Sequence, residues 1–155
     1  MLNDKSETIK SINECKLLSD KVSDLAKNQI GETTLSRMTV QSALFAATHA
    51  KGKGLEYSAS FAASCEAVLH DMDELLNLLK GAAERADATS NVLAEFSSLV
   101  QSMDYDDRLK TNLSIALHRA SLKESCLTLM RALDACNQSI ERIFATPAYA
   151  SVLTH

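Results

Sequence analysis

With 155 residues, 46% of them hydrophobic and 23% charged, the chain can bury a core of its own, which argues against wholesale disorder. The net charge of −4, from 16 basic and 20 acidic residues, argues against a nucleic-acid binder, which needs a basic face to neutralise phosphates. A single Pro and four Gly leave few helix breakers, so the composition predicts a single all-α domain over residues 1–155.

The N-terminal MLNDKSETIK is polar and has no apolar signal core. No run approaches the roughly 18 apolar residues of a membrane span, so a cytosolic protein is the expectation. The spacing of Ile9, Ile12, Cys15, Leu18, Val22 and Leu25 predicts a first helix over 4–29, with Gly31 as its stop. Glu32, Thr33 and Thr34 then offer caps for a second helix, which would run to about Ala50 and bury Leu35, Met38, Leu44, Phe45 and Ala47. KGKG at 51–54 predicts a tight corner.

From Leu55 a third helix carries the most regular stripe in the chain. Phe61, Cys65, Val68, Met72, Leu75 and Leu79 step by four and three, and Ala82, Ala86, Leu93, Phe96, Val100 and Met103 continue the phase. Asp87, Thr89, Ser90 and Asn91 each favour a helix N-cap, which predicts a break within 86–91. Asp104 then caps a last helix with Asp106 and Asp107 in its first turn. Its expected core face is Leu109, Leu113, Leu117, Ala120, Leu127, Met130, Leu133, Cys136, Ile140 and Ile143, with Pro147 as the stop. The sum is an up-and-down antiparallel bundle of four to five helices. Without the break at 86–91, the alternative is three long helical layers, spectrin-like in proportion.

No constellation for catalysis stands out. His49, His70, His118 and His155 lie in no nucleophile motif, and there is no G-x-S-x-G elbow. Cys15, Cys65, Cys126 and Cys136 form no C-x-x-C pair and read as small core residues. Glu66, His70 and Glu74 share a helical face where carboxylate and imidazole suit a divalent ion, but the set occurs once and lies off the apolar stripe. DYDD at 104–107 lacks the glycine turn of a calcium loop, and KGKG lacks the spacing of a phosphate-cradling loop. No cofactor, metal or catalytic residue is assigned.

One stretch, LLNLLKGAAER at 75–85, poses a sharper question. Asn77, Lys80 and Gly81 with the small residues after them resemble the phosphate-site helix of histidine phosphotransfer domains. That resemblance implies a four-helix bundle in which a His takes the phosphoryl group, with Lys at +3 attracting it and Gly at +4 admitting a receiver. An amide cannot accept the phosphoryl group as an imidazole does, and His70, one heptad upstream, is followed by Asp73 and Glu74, which would repel it. What the resemblance leaves is a pseudo-phosphotransfer domain that docks a receiver through Asn77, Lys80 and Gly81. Gly81 otherwise reads as a soft spot that admits a close helix crossing. The leading expectation is a non-enzymatic interaction module of adaptor, chaperone or regulator type, whose regular stripes also suit a homodimer.

Overall fold

The computed structural model describes residues 5–49 and 55–145. Among the described residues the chain forms three long helices, α1 (Lys5–Thr48), α2 (Leu55–Leu99) and α3 (Tyr105–Ala145), with a 3-10 turn at Val100–Ser102. The all-α class holds, but the count is three helices rather than four to five. KGKG and the tail from Thr146 lie outside the described residues.

Both expected breaks are bridged, for the same physical reason. In α1 the core line Thr8, Ile12, Cys15, Ser19, Val22 and Ala26 resumes at Thr33 and runs through Val40, Ala43 and Ala47, so a continuous face is buried on either side of Gly31. One interior glycine costs only about 1 kcal/mol relative to Ala, too little to end such a helix. Two of the three residues expected to cap a second helix do other work: Thr33 is buried, and the Thr34 hydroxyl donates to the Ile30 carbonyl one turn back at 2.7 Å.

In α2 three of the four cap-prone residues are likewise engaged, and Asn91 is exposed. Thr89 is buried and fills the step between Ala86 and Leu93, so the stripe never loses phase. The Asp87 carboxylate accepts hydrogen bonds from Ser23 (2.6 Å) and Lys27 (3.1 Å) of α1, and Ser90 donates to Asp20 at 3.0 Å. A side chain that reaches a neighbouring helix no longer competes for its own backbone. The predicted start of α3 is observed: the Asp107 backbone N–H donates to the Asp104 carboxylate at 2.8 Å, with Asp106 and Asp107 in the first turn.

The helices pack as two compact units, each taking one segment from every helix. The first unites Met1–Asn28 with Leu79–Thr128. Its core joins Ile12, Cys15 and Val22 of α1 to Ala86 and Leu93 of α2 and to Ile115 and Leu122 of α3. Contacts pair Lys5 with Gln101, Ser19 with Ala86 and Ser23 with Asp87, so α1 and α2 run antiparallel there. The second unites Gln29–Leu78 with Leu129–His155. It buries Val40, Ala43 and Ala47 of α1, Phe61, Cys65, Val68, Met72 and Leu75 of α2, and Leu129, Cys136 and Ile143 of α3. Arg37 of α1 forks onto Asp73 of α2 in this unit, at 2.7 and 3.2 Å.

The expected core faces of α1 and α3 need correction. Leu25, Leu35, Met38 and Phe45 of α1 are exposed, and so are Leu109, Leu113, Leu117, Ala120, Leu127 and Met130 of α3. The buried line of α3 instead recurs every seven residues at Ile115, Leu122, Leu129, Cys136 and Ile143. The alternate layers are His118, Ser125, Ala132 and Ser139, all half-buried. Small and polar residues occupy half of this seam, so its hydrophobic signal is weaker than that of the leucines outside it.

Candidate interaction surface

The leucines that the core does not use form the most conspicuous surface of the first unit. Leu109, Leu113 and Leu117 follow one another at four-residue steps, which places them on one helical face. Leu113 lies two residues from the buried Ile115, about 200° around the helix, and so on its far side. Leu113 and Leu117 are 63% and 65% exposed, Leu127 is 55% exposed and Leu109 is 39% exposed. Isolated exposed leucines are ordinary, but a contiguous apolar face marks an interaction site.

Local structure fixes this orientation. The Asp104 cap starts the helix, the Arg108 guanidinium donates to the Met103 carbonyl at 3.0 Å, and the Thr111 hydroxyl reaches the Met103 sulfur at 3.5 Å. These anchors hold the Thr111–Ile115 side inward and turn Leu109, Leu113 and Leu117 outward. Beside the leucines runs a groove of about 270 Å³ lined by Ser11 of α1 and by Ala116, Arg119, Ala120 and Lys123 of α3. Its charge is positive. The Cys15 thiol behind it is pushed up by burial, with Arg119 opposing the shift, and its Sγ lies 4.0 Å from the Ile115 carbonyl.

The second unit carries an apolar surface of its own. Met38, Leu44 and Phe45 of α1 with Leu69 of α2 line an open groove of about 650 Å³, and Phe45 stacks on His49 with ring centroids 4.1 Å apart.

The sites suggested by the sequence are less developed. Asn77 and Lys80 are exposed on α2 and Gly81 is half-buried. Among the described residues there are three helices, against the four of the frame that the phosphotransfer resemblance implies. Gly81 does not serve a close crossing: a Cβ there would meet only the Arg85 guanidinium, one turn along the same helix. Glu66, His70 and Glu74 all face solvent, where His70 Nε2 lies 3.2 Å from Glu74 Oε1. The adjacent Asp73 is engaged by Arg37, whose guanidinium holds that carboxyl below the usual range. No group of three or more His, Cys, Asp or Glu able to hold a metal occurs among the described residues.

Cys15, Cys65 and Cys136 are buried and Cys126 is half-buried, all as free thiols. Burial raises the Cys15 and Cys136 thiols and pushes Cys65 up to about 11. A thiol shifted that way is a poor nucleophile at neutral pH.

Comparison with family models, curated proteins and solved structures finds no match. Among the described residues no helix is long and apolar enough to cross a membrane. The α3 surface therefore rests on its own geometry. A signal for it was present in the sequence: α3 carries two apolar stripes on roughly opposite sides, and a helix buried along one face leaves the other uncovered.

Proposed function

We propose that the protein is a non-catalytic, cytosolic interaction module of adaptor, chaperone or regulator type, and that the outer face of α3 docks an apolar helix of a protein partner. The single observation that carries this reading is the exposure of Leu113 and Leu117 in one row with Leu109 and Leu127. Leucines at four-residue steps along a rigid helix present the ridge that helix-in-groove and helix-on-helix recognition use. Burial of a leucine contributes roughly 1.5–3 kcal/mol, so even partial coverage of four favours docking substantially.

The test is site-specific photocrosslinking in cells. A photoreactive residue at Leu117 should give a discrete protein adduct, and Leu113→Lys in the same chain should remove it. The same probe at Glu95, exposed on α2, should give none. Absence of any adduct at Leu117, or an equal adduct at Glu95, would refute the docking role of this face.

A further inference from the structure

We infer that the occupant of the α3 face is a second copy of the chain, docked antiparallel through residues 109–127; this rests on the reading of that face as a docking surface. Three features of α3 converge on one register.

The first is apolar. In an antiparallel pair of helices, residues face each other when their numbers have a constant sum. Leu109 against Leu127 of the second copy, Leu113 against Ala120, and Leu117 against its own symmetry mate share sums within three residues of one another. Those are the exposed apolar residues of the segment, and each finds an apolar partner. Ala116 opposite Ala120 fits the same register and lets the two backbones approach.

The second is charge. Lys110 and Glu124 lie on the Leu117 edge of the leucine face, seven residues to either side of Leu117 and 14 apart in sequence, about 21 Å along the helix. A twofold axis relating antiparallel helices maps each edge onto itself. In the apolar register Lys110 of one copy therefore meets Glu124 of the other, twice in the dimer. A parallel pair would set Lys110 level with Lys110 of the second copy and leave Glu124 far from both. Neither Lys110 nor Glu124 forms an ion pair among the described residues. Arg119 lies further round the helix toward the Ser11 groove, away from the leucine row.

The third is self-consistency. The surface is its own complement in a closed, twofold arrangement, which is the commonest way homo-oligomers are built.

The test is sedimentation equilibrium on the full chain, with circular dichroism to confirm that each variant stays folded. Wild type is expected to dimerise at micromolar concentration, and Leu117→Lys to weaken the dimer by more than about a hundredfold. Lys110→Glu, which faces Glu124 with a like charge, should weaken it roughly three- to thirtyfold. Adding Glu124→Lys to Lys110→Glu should restore it. The two side chains lie too far apart within one chain to compensate each other, so restoration reports a contact between copies.

A wild-type monomer up to about 100 μM overturns the inference, as does a dimer indifferent to Leu117→Lys. A dimer that Leu117→Lys breaks but the double charge swap fails to restore overturns the antiparallel register. A crosslinked adduct at Leu117 whose mass is not that of two chains, with a monomeric wild type, overturns self-docking while leaving the docking role of the face in place.

Discussion

Alanine in place of Gly31 or Gly81 is expected to raise stability, since both glycines sit inside long helices. Glycine in a helix interior is about 0.8–1 kcal/mol less favourable than alanine, because its backbone loses more freedom on folding. That gain is realised only where the new methyl group has room and the backbone is already helical. Gly31 is exposed in α1, and a Cβ built on it meets nothing within 4 Å. The whole difference should appear there, about 1 kcal/mol. At Gly81 the Cβ would lie 3.2 Å from Arg85 Nη1. That atom is the far end of a flexible, exposed side chain, which can yield by a few tenths of an ångström, so slightly less of the gain survives. For a chain of this size about 1 kcal/mol corresponds to roughly 2–4 °C in Tm. Urea unfolding followed by far-UV circular dichroism measures each variant and the double variant, whose gains should add because the sites share no contact. A loss of stability for Gly81→Ala would show that another helix crosses closely at Gly81. A loss for Gly31→Ala would show that α1 is not helical through that position. Either result would refute the reasoning.

Two further outcomes test the placement of core and charge. Leu122→Ala, at a site only 4% exposed, should cost about 2–5 kcal/mol, whereas Leu117→Ala should stay within about 0.5 kcal/mol of wild type when both are measured as monomers; equal losses would mean that the inner and outer faces of α3 are wrongly assigned. Asp87 is held below the usual carboxylate range by the Ser23 hydroxyl and then by the Lys27 ammonium, so it stabilises the fold above the ordinary carboxylate pKa and loses that contribution as pH falls through its lowered value. Asp87→Asn should accordingly be less stable than wild type at neutral pH, with the gap closing below about pH 4; a gap that urea titrations find unchanged at acid pH would remove the charge from the α1–α2 contact.

How much of this molecule could be read in advance differs from helix to helix. In α2 most of the buried residues from Phe61 to Val100 are those its stripe named, because apolar side chains occupy nearly every inward step; Leu69, Ala83 and Thr89 are buried beside them. The Asp104 cap was equally legible, since a carboxylate at a helix start satisfies backbone donors that nothing else reaches. The breaks expected at 31 and at 86–91 do not form, because capping is only one use of a short polar side chain. Asp87 and Ser90 bind residues of α1, Thr89 enters the core, and Thr34 bonds back to its own helix.

For the candidate surface the sequence supplied the residues but assigned them to the wrong side. Leu109, Leu113 and Leu117 form a stronger stripe than the seam of Ile115, Leu122 and Leu129 with its small and polar layers, and periodicity measures only that a face exists. Asn77, Lys80 and Gly81 form a sequence motif, and the fold leaves Asn77 and Lys80 exposed and Gly81 half-buried. By itself the sequence determined an all-α chain with a cap at Asp104 and an inward line for α2, because backbone propensity, capping and a dominant stripe are properties of a single helix. Only the tertiary structure decided that the described residues form three helices and which stripe of α3 is buried. Those depend on what a neighbouring helix offers: a partner for Asp87, a carbonyl for Ser19 and space for one row of leucines but not the other.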